Sequence, residues 1–97
     1  MTLRVKVLDQ PADSYEAITV SNVAIGFTAG NITGKKGVYL SVEADEVRYR
    51  YDGTDPTATE GHLLYVGDRL QLMHPTVLSK FRMIRVTTDA TVRCTYF

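Results

Sequence analysis

Residues 47–57 read VRYRYDGTDPT. Val47, Tyr49 and Tyr51 occupy every second position, with an arginine between each pair. This period of two is typical of a β-strand that buries one face and exposes the other. The stretch therefore predicts a half-buried strand, and the rest of the chain is interpreted around it.

A turn follows this strand directly. Asp52-Gly53 favours positive φ and reverses the chain, and Pro56 ends the strand because it has fixed φ and no N–H to donate. We therefore predict structural turn roles for Asp52, Gly53 and Pro56. Asp52, Asp55 and Glu60 could also offer oxygens to calcium, but the spacing of an EF-hand is absent and the turn interpretation is favoured.

The composition and the turn signals predict an all-β fold. Val, Ile and Thr number 11, 4 and 12, so 27 of the 97 residues are β-branched and suit a pleated sheet. No segment has ten residues of helical period, which argues against an α/β fold. We predict one domain, residues 1–97, folded as an antiparallel β-sandwich or jelly roll of about eight short strands. Strand-like runs lie at 3–7, 18–20, 23–27, 38–42, 47–51, 62–66, 70–72, 83–86 and 90–96, the second and third forming one bent strand or two.

The best candidate for a partner surface lies on a predicted hairpin. Residues 38–42 and 47–51 have the cleanest alternation, and Ala44-Asp45-Glu46 is predicted to turn one strand into the other. Tyr39, Arg48 and Arg50 would then share one exposed sheet face. Arg and Tyr are enriched at protein interfaces, so this face is either a binding surface or an ordinary solvated one.

Catalytic, metal and cofactor sites have little support in the sequence. His62, His74 and Cys94 are the only soft metal ligands, and no two are close in sequence, as a zinc site usually requires. Cys94 falls at an inward-facing strand position, where a small buried hydrophobe is expected. Residues 30–36 lack the spacing and the Ser or Thr of a phosphate loop, and predict a surface loop. We predict no catalytic residues, no metal and no cofactor, and so no enzyme.

The charge balance and the cysteine content limit the classes of partner and of cross-link that the sequence favours. Eleven basic and eleven acidic residues give zero formal net charge, which disfavours nucleic acid. No 18-residue apolar run exists, so no membrane segment is predicted, and a single cysteine allows no internal disulfide. Residues 43–60 hold six acidic and two basic side chains, whereas residues 61–97 hold two acidic and five basic side chains. This asymmetry suits ion pairs within the molecule or contacts between neighbouring subunits.

The sequence resembles small virion proteins of tailed bacteriophages. The resemblance is carried by residues 18–22, by residues 47–57 followed by Gly61-His62, and by residues 81–85 and 95–97, in that order along most of the chain. The core Asp-Gly-Thr-x-Pro-Thr is also similar to a strand–turn motif in immunoglobulin-like domains attached to bacterial glycoside hydrolases, where it is structural.

The phage resemblance implies a β-sandwich subunit bound to the outside of the capsid as a decoration or cement protein. A component of the head–tail junction is the alternative. It further implies the major capsid protein or other virion proteins as partners, a homo-oligomer (a trimer is favoured), and location in the virion after assembly in the host cytoplasm. A carbohydrate- or surface-binding module is the competing class. The chain has no Trp and its Tyr residues mostly alternate inward, which favours the structural role.

Overall fold

The computed structural model describes residues 11–97, and its strands form two antiparallel β-sheets packed face to face. In chain order the elements are β1 (Ser14–Val20), α1 (Ala29–Ile32), β2 (Gly37–Glu43), β3 (Val47–Arg50), β4 (His62–Leu64), β5 (Arg69–Met73), α2 (Pro75–Lys80), β6 (Arg82–Arg85) and β7 (Ala90–Tyr96). The prediction of an all-β, sandwich-like fold is confirmed. The run at 3–7 lies outside the described residues.

The first sheet has the strand order β1-β7-β2-β5, and the second has the order β4-β3-β6. Within the first sheet, Tyr96 of β7 lies opposite Ser14 of β1 and opposite Val38 of β2. All strand pairs in both sheets are antiparallel. β7 is therefore a central strand that joins two strands distant from it in sequence.

The predicted strand at 23–27 is reduced to a single bridge. Ile25 and Met83 exchange two backbone hydrogen bonds of 2.8 Å, and Ser21 accepts another from the Arg85 amide at 3.0 Å. The segment 21–27 thus leaves the first sheet after β1 and runs along the free edge of β6. Val23 is 69% exposed, because this segment crosses from one sheet to the other and has no buried strand face on which Val23 could pack.

The predicted hairpin of residues 38–42 with 47–51 is wrong. β2 lies between β7 and β5 in the first sheet, whereas β3 lies between β4 and β6 in the second. The connection 44–46 carries the chain across the sandwich, with Ala44 at φ 76°. Asp45 fixes this connection because its carboxylate accepts hydrogen bonds from the amides of Glu46 and Thr88, at 2.7 and 3.0 Å.

The core lies between the sheets and is filled by alternate strand residues together with Leu78 of α2 and Phe81, which follows α2. Those with at most 1% exposure are Val20, Val38, Leu40, Val42, Val47, Leu78, Phe81, Met83, Ala90, Val92, Cys94 and Tyr96. Phe27 connects its aromatic members, since its ring is stacked on Phe81 at 4.9 Å and meets the edge of Tyr96 at 5.7 Å. Burying each large apolar side chain contributes about 1.5–3 kcal/mol, so this layer dominates the stability of the fold.

The two ends of the sandwich differ in charge. Segments 21–23, 44–46, 65–68 and 86–89 meet at one end, which we call the acidic end. These segments contain Asp45, Glu46, Asp68 and Asp89, and no Lys, Arg or His. At the opposite end lie 28–36, 51–61 and 74–81, where acidic and basic side chains are mixed.

Candidate functional site

The loop 51–61, between β3 and β4, is held in place by Arg48. The guanidinium donates from Nε to the Ala58 carbonyl at 3.0 Å and from Nη1 to the Gly61 carbonyl at 2.9 Å. Pro56 is buried beneath the loop, although its neighbours in sequence are exposed. The guanidinium of Arg48 and the buried ring of Pro56 therefore hold the loop on the second sheet.

The start of this loop is the predicted turn, and its geometry matches the sequence interpretation. Asp52 accepts hydrogen bonds from Arg50 Nη2 at 2.5 Å and Nε at 3.2 Å, and from the Thr54 amide at 3.2 Å. These hydrogen bonds, led by the one from Arg50, lower the pKa of Asp52 to about 2. Gly53 has φ +88°, a conformation that favours glycine over residues with a Cβ.

A surface groove of about 510 Å³ opens between this turn and the start of β4. We call it the loop groove; its lining residues are Arg50, Tyr51, Asp52, Glu60, Gly61 and His62. Tyr51 is 51% exposed, and His62 and Glu60 are also exposed. The groove therefore presents to solvent an aromatic surface, the ion pair of Arg50 with Asp52, and the carboxylate of Glu60.

Tyr51 and His62 form the aromatic part of the groove, and Tyr49, which does not line it, connects these two rings to the core. Tyr49 lies opposite His62 in the β3–β4 pair, with ring centroids 5.2 Å apart, and Tyr51 lies 6.4 Å from each of these two rings. On its other side, Tyr49 is stacked on the buried Phe81 at 5.1 Å. Burial, with a smaller effect of Tyr51, raises the pKa of Tyr49. The core thus supports the floor of the loop groove.

The predicted partner surface does not form as one face. Tyr39 lies on β2 of the first sheet, between the inward-facing Val38 and Leu40, and therefore points to the outer side of that sheet. Arg48 and Arg50 belong to β3 of the second sheet, whose outer side faces the opposite way. The expectation of a shared face failed because it depended on the hairpin pairing.

The other predicted chemical groups have structural surroundings. Cys94 is fully buried, and burial raises the pKa of its thiol to about 12. The imidazole Nδ1 of His74 accepts a hydrogen bond from the Thr76 amide at the start of α2, at 3.2 Å. Within residues 11–97, no three His, Cys, Asp or Glu side chains converge as a metal site would require.

One carboxylate in an inward-facing strand position was not singled out by the sequence interpretation. Glu16 accepts hydrogen bonds from the Thr28 hydroxyl at 2.6 Å, from the Thr28 amide at 3.2 Å and from the Tyr96 hydroxyl. Partial burial raises the pKa of Glu16, but these hydrogen bonds outweigh burial and lower it overall. Glu16 thereby ties β1 to β7 and to the segment that follows β1.

The loop groove also escaped the sequence interpretation, although a signal for it exists. Tyr51 and His62 are separated by ten residues, and consecutive strands joined by such a loop commonly pair as neighbours. That pairing places the end of β3 beside the start of β4, and so brings Tyr51 and His62 together.

Comparisons of the chain with protein-family models, curated proteins and solved structures gave no match. Among the described residues, no helix has the length and apolar character needed to cross a membrane.

Proposed function

We propose that this chain is a structural protein of a tailed-bacteriophage virion, which binds the outside of the capsid as a decoration or cement subunit. Its work is binding, and it stiffens the shell by contacting several capsid subunits at once. The sequence resemblance to small virion proteins supplies the context. The strand connectivity is the structural observation that supports it.

That connectivity is consistent with a jelly roll when segment 21–27, which forms a single bridge to β6, is counted as an edge strand. The sheets then have the orders β1-β7-β2-β5 and (21–27)-β6-β3-β4. Every connection crosses from one sheet to the other except the one between β3 and β4. Jelly rolls with two four-stranded sheets are used by viral capsid domains and by lectins. A fold alone leaves function open, so the sequence resemblance is needed to choose between these uses.

The acidic end is the surface we assign to the capsid contact. Tyr65 and Val66 are each 56% exposed at one side of this end, and Val23 is 69% exposed at the other. The segments between them bear four carboxylates, of which Asp89 is paired with Arg85 at 2.5 Å, and the Arg69 side chain donates to the Gly67 carbonyl at 3.4 Å. Apolar groups flanking a surface with an excess of negative charge suit a partner surface that is apolar at its margins and carries basic side chains between them.

Co-sedimentation with shells tests the proposal. The protein would be mixed with empty mature shells of the phage that encodes it, and separately with unassembled capsid protein. We expect saturable binding to shells only, because a site that spans several subunits exists only after assembly and symmetric copies add avidity. Binding to isolated tails or head–tail connectors, with none to shells, would replace the decoration role by the junction role.

Two variants with different surfaces locate the contact in the same assay. Val66→Lys changes the acidic end, and Tyr39→Ala changes the outer side of the first sheet; neither side chain is buried in the core. We expect Val66→Lys to abolish pelleting with shells while its urea melt is unchanged, and Tyr39→Ala to bind normally. The reverse pattern would place the contact on the face of Tyr39. Sedimentation velocity on the free protein tests the predicted trimer.

A further inference from the structure

We infer that the loop groove is a binding site for a neutral saccharide. This inference concerns a surface at the opposite end of the molecule from the proposed capsid contact, and does not rest on that contact. It is carried by the aromatic floor, by the fixed polar groups beside that floor, and by the rigidity of the loop that holds both.

The aromatic floor suits the apolar face of a sugar ring. Tyr51 and His62 line the groove with ring centroids 6.4 Å apart and ring planes 34° apart, and Tyr49 packs against both rings without lining the groove itself. An open, one-sided surface of this kind can stack against the C–H face of a pyranose. A trimethylammonium group is instead recognised by rings that surround the cation on several sides.

The polar groups suit hydroxyls rather than a phosphate or carboxylate. Arg50 and Asp52 are joined by two hydrogen bonds, so the guanidinium is already neutralised by a carboxylate at the mouth of the groove. Glu60 adds a second carboxylate and has no hydrogen bond or ion pair through its side chain within residues 11–97. Arg50, Asp52 and Glu60 together carry a net charge of minus one, which repels anions. A diol can donate to Glu60 and accept from the remaining guanidinium N–H groups.

The site is pre-organised, which reduces the entropy lost on binding. Tyr49 is supported from below by Phe81 of the core, and Arg48 fixes the loop that carries Glu60. A cavity of about 510 Å³ is within the range of small-molecule sites. The loop groove can therefore accept one or a few sugar residues without rearranging the fold.

Histidine NMR provides a direct readout. The chain has two histidines, and His62 lines the groove whereas His74 is the N-cap residue that precedes α2. A glycan panel containing neutral, anionic and amino sugars would first be screened with the whole protein. The best neutral oligosaccharide would then be titrated against protein labelled in its imidazole rings. We expect the His62 resonances to shift saturably and those of His74 to stay fixed.

Matched variants separate stacking from charge. Tyr51→Ala removes an exposed ring from the groove, and Tyr65→Ala removes a ring of similar exposure from the acidic end. We expect Tyr51→Ala to weaken binding about tenfold or more, and Tyr65→Ala to leave it unchanged. Glu60→Gln retains a hydrogen-bond acceptor, and a neutral sugar should lose only about threefold in affinity.

Three results would overturn the inference. The first is that no neutral glycan in the panel binds. The second is that Tyr51→Ala binds the oligosaccharide with the same affinity as the parent protein. The third is that the His62 resonances shift on titration with tetramethylammonium chloride but do not shift with any neutral sugar. Loss of saccharide binding in Tyr51→Ala together with normal shell pelleting would show that the two surfaces act separately. Failure of shell binding alone would leave the saccharide result standing.

Discussion

Replacing Arg48 should release the loop 51–61, because this side chain supplies the hydrogen bonds that hold it. Its guanidinium reaches carbonyls ten and thirteen residues ahead in the chain, those of Ala58 and Gly61. Arg48→Met keeps the length and the apolar stem of the side chain but removes both donors. Arg48→Lys keeps the charge, but one compact ammonium cannot reproduce a planar fork with two fixed directions.

The expected magnitude follows from these two contacts. A hydrogen bond from a charged donor contributes about 1.5–3 kcal/mol when well shielded. Arg48 is only half-buried and Ala58 is exposed, so water can replace part of the loss. We therefore expect Arg48→Met to lower the free energy of unfolding by about 2 kcal/mol, and Arg48→Lys by about 1 kcal/mol. In a domain of this size, the larger change corresponds to a fall in Tm of about 8–16 °C.

Urea melts and amide hydrogen exchange would measure the effect. The Thr57 amide donates to the Glu60 carbonyl at 2.9 Å, so its protection reports on the loop itself. Arg69→Met is a matched control, because Arg69 is exposed and donates only one long hydrogen bond, of 3.4 Å, to the Gly67 carbonyl. The reasoning is refuted if Arg48→Met costs no more than the control, or if protection of the Thr57 amide is unchanged.

Three further predictions concern the core, the turn and pH. Leu40→Ala should cost about 2–5 kcal/mol in urea melts and more than Tyr49→Ala, since Leu40 is fully buried and Tyr49 is not; equal costs would contradict this. Gly53→Val should destabilise more than Gly53→Ala, because a β-branched residue tolerates φ +88° least; indistinguishable melts would argue against that φ. The lowered pKa of Glu16 means that its stabilising effect is fully present above its unfolded-state pKa of about 4.3 and is lost as pH falls through the lower folded-state pKa. Glu16→Gln should therefore lower the free energy of unfolding at pH 7, and this free energy should fall less steeply at acid pH in the variant than in the parent protein. If the free energies of the two proteins fall equally steeply with pH, Glu16 does not contribute this pH dependence.

The sequence predicted the strands better than their partners. Alternation identified the inward-facing residues of β2 and β7, because a strand with one buried face requires it. Alternation does not specify which strand lies alongside. The connection 44–46 contains no glycine, yet Ala44 adopts φ 76° and the chain crosses the sandwich instead of forming a hairpin. The stabilising contact comes from Thr88, which is 43 residues away from Asp45 in sequence.

The candidate site was predictable only where its geometry is local. The Thr54 amide that donates to Asp52 and the positive φ of Gly53 both lie within two residues of Asp52, a range that a turn signal in the sequence covers. The role of Arg48 depends on two backbone carbonyls in a loop, for which a sequence pattern gives no signal. The groove required the pairing of β3 with β4 before Tyr51 and His62 could be placed together.

The central position of β7 also affects how the chain is made. Its partner β1 is complete after residue 20, but Ala90–Tyr96 must be available before β1 and β2 are joined in one sheet. During synthesis, β1 and β2 therefore each keep an unpaired edge until most of the described chain has left the ribosome. Such long-range pairing slows folding and prolongs exposure of apolar strand faces. We expect nascent chains stalled before residue 90 to remain protease-sensitive, and a single cooperative gain of resistance once β7 emerges.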